Sequence, residues 1–325
     1  MEENNPRVLI TGDAGFIGRH LRRYLESRGC VVLGIDRLTP RPEIDVCNLF
    51  TCDLSMSESD ATLSYCVSQA DQVYHLAGTA SVAYCEAHVT EAYGDLIAAV
   101  RVMETCALYK KPVVVPSSSY VYHSESGPPY LTIRYAPTIY GRVKGAIENL
   151  ALVFGETRGL KFGVARLFNV YGPGQDKAVT YKGTFITDTV AKMLTNNYEE
   201  LEEVVVKNPD VSRDFIYIDD VVSALGIIMS HISISFDPSS PELWPCYDVG
   251  SGESTKLMAA AQVIAEVAGF KGTLKPGENS LVDIYFGRYP ADITRLGDLG
   301  WRPTVSFRDG VRQVVSDMQS KIGGK

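Results

Sequence analysis

Positive charge is in deficit: 31 Lys and Arg stand against 39 Asp and Glu, a formal net charge of -8. No basic run or basic amphipathic stretch offsets it. That excludes the electrostatic footprint of nucleic-acid binding and of docking on anionic lipid, so small molecules are the expected partners. The seven cysteines, Cys30, Cys47, Cys52, Cys66, Cys85, Cys106 and Cys246, form no C-x-x-C pair and are odd in number. A disulfide framework and a metal site are therefore not expected, and buried or incidental thiols are. The acidic start, residues 1–6, lacks an apolar leader, and no apolar run approaches membrane-spanning length. A soluble protein of the cytoplasmic, reducing compartment is expected, with no membrane partner.

What is present is ordinary globular material, 325 residues with 45% hydrophobic and 22% charged, enough for one large or two modest domains. The apolar run Arg7 to Ile10 leads into Thr11-Gly12-Asp13-Ala14-Gly15-Phe16-Ile17-Gly18, after which Leu21, Tyr24 and Leu25 continue a helical stripe. Strand, glycine turn and helix in that order form a cradle for a pyrophosphate at a helix N-terminus, and the alternative is a purely structural βαβ unit. A second strand, Cys30 to Ile35, ends in Asp36, about 20 residues beyond the glycines, where a carboxylate can bond both ribose hydroxyls of NAD and would repel a 2′-phosphate. Asp13 is an anionic side chain inside the loop and must point away from the pyrophosphate or weaken binding.

Strands at Asn48–Cys52 and Gln72–Leu76 end at Asp53-Leu54 and Ala77-Gly78. Asp53 could reach the adenine and Ala77-Gly78 could let the backbone approach the cofactor, with an acidic turn and a plain loop as the competing readings. His75, at the end of a buried strand, reads as a satisfied structural histidine. A long helix is expected from about Val89 to Tyr109, and the alternation of strand and helix predicts a right-handed, doubly wound parallel sheet.

The apolar strand at Val113–Val115 then breaks into Ser117-Ser118-Ser119, and Tyr140-Gly-Arg-Val-Lys144 follows a loop. Four residues apart on a helix, Tyr140 and Lys144 share a face, so an ammonium can sit near the phenol and favour its ionised form. With 18 tyrosines in the chain, roughly one Tyr-x-x-x-Lys match arises by chance, and a surface helix is the plain alternative. Further on, Phe162–Phe168 reads as a strand broken by Asn169 and a turn at Tyr171–Gly174. Helices are expected at Thr184–Asn196, 219–231 and 255–269, strands at Glu202–Val206, Phe215–Ile218 and near Tyr247–Val249, and a loop from Ser233 to Pro245.

Taken together, these residues resemble the extended short-chain dehydrogenase/reductase family, and within it the NAD-dependent nucleotide-sugar epimerases and dehydratases. The matches run in the family's order: the Thr11 to Gly18 loop, Asp36, Asp53-Leu54, His75 to Gly78, Ser117-Ser-Ser-x-Val121-Tyr122, Tyr140-x-x-x-Lys144, Ala165 to Gly174, Arg213 to Asp220, Tyr247 to Gly252 and Leu299 to Pro303. The resemblance implies a Rossmann-type NAD-binding domain over residues 1–170 and a smaller α/β substrate-binding lobe over 171–325, some of whose segments return to the first domain. It implies a homodimer through the helices around 89–109 and 140–158.

It further implies that Tyr140 is the base, that Lys144 lowers its pKa and holds the nicotinamide ribose, and that Ser118, with Ser119 as fallback, orients the sugar hydroxyl while hydride passes to NAD. Gly12, Gly15, Phe16, Ile17, Gly18, Asp36, Asp53, Leu54, Leu76, Ala77 and Gly78 would hold the cofactor, and Tyr120, Asn169 and Arg213 the nucleotide-sugar substrate. Either Lys275 or Arg288 would meet the diphosphate, because Lys275-Pro-Gly-Glu278 departs from the family's Arg-x-Gly-Asp. Arg213 could instead form a surface ion pair with Asp210 or Asp214.

Dehydratases and sugar-acid decarboxylases of the family generally carry a carboxylate directly before the Val-Tyr pair. Here that position is Tyr120, preceded by Ser119, which favours an epimerase working at C4 through a transient 4-keto-sugar. A dehydratase or decarboxylase with an acid from another loop is the runner-up. A catalytically silent NAD-binding regulator also stays open, since Asp13, His123 in place of the usual glycine, and a short loop from Glu125 to Thr138 could all signal drift.

Overall fold

The computed structural model describes residues 5–38, 48–122, 136, 138–175, 184–195, 203–235, 244–279 and 289–323. In chain order the elements are β1 (Arg7–Thr11), α1 (Phe16–Glu26), β2 (Val31–Asp36), β3 (Leu49–Thr51), α2 (Asp60–Gln69), β4 (Gln72–His75), α3 (Val82–Ala87), α4 (Val89–Leu108), β5 (Val113–Ser118) and α5 (Ile139–Arg158). The second half adds β6 (Phe162–Leu167), β7 (Asn169–Tyr171), α6 (Phe185–Thr195), β8 (Glu203–Val206), β9 (Ser212–Arg213), β10 (Phe215–Tyr217), α7 (Ile218–Ser235) and β11 (Cys246–Val249). It ends with β12 (Thr255–Lys256), α8 (Leu257–Ala268), β13 (Thr273–Pro276), α9 (Thr294–Asp298) and α10 (Phe307–Gly323).

Seven strands make one parallel sheet in the order β11-β6-β5-β4-β1-β2-β3. Parallel strands covered on both faces must be apolar on both faces, and β1 shows how this sequence does it. Val8 and Ile10 join the core that includes Leu21 of α1 and Leu225 and Ile228 of α7, while Leu9 between them joins Val102 and Met103 of α4. Strand order reverses between β1 and β4, so a crevice opens at the carboxyl ends of these strands. This is the doubly wound, Rossmann-type sheet expected above.

Three two-stranded sheets complete the second half. β7 pairs with β10 in parallel, β9 with β12 antiparallel, and β8 with β13 in parallel. β11 instead joins the main sheet beside β6, with Asp248 opposite Arg166.

Two expectations change. Ser233, where a loop is expected to start, is still helical: α7 runs to Ser235, and 236–243 lie outside the described residues. That 18-residue helix is also apolar and long enough to cross a membrane, contrary to the expectation that no run approaches this length. Its Val221, Leu225, Ile228 and Ile232 are buried in the core, which accounts for the composition. Within the chain's last third, α10 carries Gln313, whose Oε1 accepts the Tyr217 hydroxyl at 2.7 Å, and Asp220 of α7 accepts the N–H groups of Thr304 and Val305 at 2.9 and 3.0 Å.

Candidate active site

The carboxyl ends of the sheet strands open into a cavity of about 670 Å³. The glycine loop forms one wall. Gly12 has φ +75° and approaches the next strand end so closely that a Cβ there would lie 2.5 Å from the Ala77 nitrogen, so only glycine lets β1 turn here. Gly15, Phe16, Ile17 and Gly18 of this loop and of the first turn of α1 line the cavity, as do Leu76 and Gly78.

Asp13 does point away from it. Its buried carboxylate takes the Arg22 Nε at 3.0 Å and Nη2 at 2.7 Å, and Arg22 also reaches Glu26 and the Val32 carbonyl. Burial pushes the Asp13 carboxyl up while the guanidinium opposes the shift. Asp36 closes the end of β2 beside the loop, accepting N–H groups from Ala14 at 3.0 Å and Leu38 at 2.9 Å. His75 shares a 2.8 Å bond with the Thr11 hydroxyl inside the core, and burial holds its pKa down at about 3, the satisfied structural histidine expected.

Four residues assigned to the cofactor, Asp36, Asp53, Leu54 and Ala77, do not line this cavity. Asp53 binds its own turn, accepting from the Ser55 N–H at 2.9 Å and hydroxyl at 2.7 Å, Leu54 is packed in the core, and neither lines the wall. Ala77 stands behind the wall, donating its N–H to Thr11 Oγ1 at 3.3 Å.

β5 delivers the polar centre. Ser118 ends the strand, a single 3-10 turn spans Ser119–Val121, and Tyr120 and Tyr140 meet edge to face with ring centres 5.9 Å apart. Thr138 caps α5 by accepting the Gly141 N–H at 3.0 Å, so Tyr140 and Lys144 emerge from its first turns on the cavity side. Gly141 itself is a contact: a Cβ there would stand 2.4 Å from the Tyr120 carbonyl oxygen, which locks α5 against the turn.

The two serines are placed differently. Tyr140 hydrogen-bonds Ser118, and Ser118, Tyr120, Tyr140 and Lys144 all line the cavity, whereas Ser119 is buried outside it. One expectation is corrected. Burial pushes the Tyr140 phenol up to about 12, with the Ser118 bond opposing it and Cys85 and Asp95 adding to it, so the neighbouring lysine does not bring it below its ordinary value. Lys144 Nζ lies 5.7 Å from the Tyr140 ring centre, and burial lowers its own pKa against the pull of Asp95.

The far wall comes from the second half. Asn169 holds its amide in place by donating Nδ2 to the Asp214 carbonyl at 2.9 Å, and Arg213, paired into β9, donates Nη1 to the Ser212 carbonyl at 3.0 Å; both line the cavity. The carboxylates proposed as competing partners for Arg213 are engaged elsewhere. Asp210 pairs with Lys256 at 3.2 Å, and buried Asp214 takes N–H groups from Ser251, Gly252 and Ala291 at 2.7 to 2.9 Å. Lys275 is a correction: it is half exposed, pairs with Glu203 across β13 and β8, and is absent from the wall. Arg288 and His123 lie outside the described residues, as does most of the loop from Glu125 to Thr138.

Sequence reasoning missed the other cations of this wall, Lys192 of α6 and Lys207 after β8, together with Asp188 and the turn from Thr79 to Val82. A signal existed for α6. Asp188 and Lys192 are four residues apart on a helix whose Ile186, Val190 and Met193 are core residues, so two charges share one face of an apolar helix.

Behind Tyr122 sits a second, closed cluster. Arg166 donates Nε and Nη2 to the two oxygens of fully buried Glu148 at 2.8 Å each, and Nη1 to the Tyr122 hydroxyl at 2.9 Å. The Tyr122 hydroxyl in turn donates to Asp248, whose other oxygen accepts the Asp292 N–H at 3.2 Å. Burial pushes the Asp248 carboxyl up to about 6 although Tyr122 and Arg166 oppose the shift.

A glycine loop and a Ser-Tyr-Lys cluster line one crevice at the carboxyl ends of a doubly wound sheet, the place where such folds bind a ligand. The chain belongs to the NAD dependent epimerase/dehydratase family, whose model matches residues 8–237, and its cofactor is NAD. Along nearly its whole length it is similar to the GDP-6-deoxy-D-mannose reductase of Pseudomonas aeruginosa, 26% identical over 333 residues, covering 97% of this chain and 98% of the relative. Among solved structures, the Thermus thermophilus UDP-glucose 4-epimerase in complex with NAD superposes with a TM-score of 0.79 at 25% identity, covering 96% of this chain and 99% of that one. MoeE5 in complex with UDP-glucuronic acid and NAD gives a TM-score of 0.79 at 29% identity, covering 97% and 99%.

The residues present fit that cofactor. Gly12, Gly15 and Gly18 bring bare backbone to the cavity wall, and the Ser117 hydroxyl on the same wall is buried with no hydrogen-bond partner among the described residues. The loop from Gly12 to Gly18 would take the pyrophosphate, Asp36 the adenosine ribose and Lys144 the nicotinamide ribose.

Proposed function

We propose that this protein is a nucleotide-sugar epimerase acting at C4 through a transient 4-keto-sugar. The observation that carries the reading is the local chemistry of the β5 end: Ser118, Tyr140 and Lys144 share the cavity, and the two positions after Ser118 are Ser119 and Tyr120, neither a carboxylate. Elimination or decarboxylation asks for an added acid-base group near the oxidised carbon. Epimerisation does not, because the ketone need only turn in the pocket and be reduced on its other face.

In this reading NAD, when bound, supplies the hydride acceptor for oxidation and the donor for the return step. Tyr140, as the phenolate, takes the proton of the sugar C4 hydroxyl and returns it when the ketone is reduced, Ser118 holds the same oxygen by hydrogen bond, and the Lys144 ammonium offsets the charge of that phenolate before the transfer. Arg213, Lys192 and Lys207 face the diphosphate, for which a guanidinium and two ammonium groups are the matching charges. Asp188 is the one carboxylate among the described residues lining the cavity, and it is what would supply a dehydratase or decarboxylase with its acid.

The test is incubation with UDP-, GDP- and dTDP-sugars followed by NMR of the products. A C4 epimer with no net change in NAD redox state is expected, and a 4-keto-6-deoxy sugar or released carbon dioxide would overturn the epimerase. If no sugar nucleotide is converted and none raises the melting temperature, the silent regulator is the better account. The same reading makes the protein a cytoplasmic homodimer joined through α4 and α5, whose Tyr93, Ile97 and Val153 are 56%, 48% and 49% exposed. Light scattering of the wild type and of Ile97→Glu tests it, a monomer for the wild type being the adverse result.

A further inference from the structure

Asp95, on α4, belongs to no motif used above and does not line the cavity, yet it stands beside the reacting cluster. Its Oδ2 accepts the Thr79 N–H at 2.7 Å. Gly78 lies between it and Lys144, which make no direct ion pair: a Cβ on Gly78 would lie 3.4 Å from Asp95 Oδ2 and 3.6 Å from Lys144 Nζ. The carboxylate and the ammonium therefore flank the same glycine, which lines the cavity where β4 ends. We propose that Asp95 is the positioning residue of this site, a counter-charge that keeps Lys144 protonated beside Tyr140 and, through the Thr79 amide, registers that ammonium to the Gly78–Thr79 turn.

The physical need is plain. Lys144 is 6% exposed, and an ammonium that deeply buried loses its proton readily unless a negative charge stands near. A neutral amine could neither offset a developing phenolate nor hold a ribose as a cation. The groups facing this pair are few and known: Ser118 from β5, Cys85 from α3, His75 from β4, and Tyr140 on the lysine's own helix. His75 is held neutral and the buried Cys85 thiol is pushed up to about 11, so neither offers a negative charge, and the acidic group that the geometry sets beside the lysine is Asp95. Burial lowers the lysine and Asp95 raises it, in agreement with the geometry. The same carboxylate raises Tyr140. Removing its charge should therefore move both groups in one direction, to lower pH, which a merely structural residue would not do.

The proposal rests on the Tyr140–Lys144 reading above, and its test is read on the protein without substrate. In full-length protein carrying 13Cε-lysine, the Lys144 resonance, assigned by its loss in Lys144→Met, is titrated. Asp95→Asn keeps an acceptor for the Thr79 amide and removes the charge; its Lys144 midpoint should fall by about one pH unit, and Asp95→Glu should restore it. In turnover, both limbs of the kcat/KM profile should move to lower pH in Asp95→Asn. An unmoved Lys144 midpoint overturns the proposal. If Asp95→Asn does not fold, Asp95→Ser, which also keeps an oxygen toward the Thr79 amide and removes the charge, carries the test, and an unmoved Lys144 midpoint in it overturns the proposal equally. A moved midpoint in a protein that converts no sugar nucleotide sinks the proposed function alone, and turnover with an unmoved midpoint sinks this inference alone.

Discussion

Two buried polar clusters flank the end of β5, each built around a tyrosine and a cation, and they are wired oppositely. In the Tyr122 cluster, Arg166 spends three donors on Glu148 and Tyr122, the Tyr122 hydroxyl is both donor and acceptor, and Asp248 is satisfied from two sides. It is closed. In the Tyr140 cluster the phenol has Ser118, the ammonium has a carboxylate across a glycine, and both tyrosine and lysine face the cavity. It is held but open. A closed network specifies packing; an open one leaves bonding capacity for a substrate oxygen. The pattern of bonds, more than the residue types, separates the tyrosine closed into the core from the one proposed to react.

This comparison can be broken most decisively at the phenols. Tyr140→Phe should reduce sugar conversion by about three orders of magnitude, with the urea midpoint hardly moved, because a positioned base is worth about 10²–10⁴-fold in rate. Preserved turnover would remove Tyr140 from the chemistry. In the closed cluster the loss should fall on stability. Arg166→Ala strands the Glu148 carboxylate in the core and should cost about 3–5 kcal/mol in chemical denaturation, and Tyr122→Phe about 1–3 kcal/mol, with kcat per folded molecule retained.

A smaller effect is expected at the far wall. Lys192→Ala should raise KM for the sugar nucleotide about tenfold and leave kcat within about twofold, the mark of lost ground-state binding; a fall in kcat instead would place Lys192 nearer the reacting carbon.

The last effect is a pH dependence. Asp248 is held above its unfolded value, to about 6, so the folded state binds its proton more tightly. Its favourable contribution is present below the unfolded pKa and is lost as pH rises through about 4 to 6, on the order of 3 kcal/mol. Comparing the denaturation midpoint of the wild type with that of Asp248→Asn across this window isolates it, since the variant should lack this component.

How much of this was legible in the sequence differs along the cavity. The sheet, the glycine loop, Ser118 and the Tyr140–Lys144 face could be read because each depends on a local rule: apolar strand runs, a turn that only glycine makes, a four-residue helical spacing. Asp13 could be read only as a problem, and its answer, Arg22, is one helix away in the fold. The far wall depends on long-range register. The pairing of β13 with β8 turns Lys275 toward Glu203, and α6 and the end of β8 bring in Lys192 and Lys207, which carry no motif. Asp95 escaped for the same reason: its meaning comes from Gly78 and Lys144, which other segments supply.

Asp36 holds a lesson for cofactor engineering. Exchanging the acid after the second strand for a neutral or basic residue is the obvious route to an enzyme that accepts a 2′-phosphate. In this protein both carboxylate oxygens are occupied by backbone amides, Ala14 in the phosphate loop and Leu38 beyond the strand. If Asp36 is the charge that selects NAD, as proposed, the same carboxylate is also the brace of the loop that would hold the pyrophosphate. A swap that removes the charge alone loosens the pyrophosphate cradle for either dinucleotide, so a successful switch of preference has to rebuild two amide acceptors along with the new phosphate site.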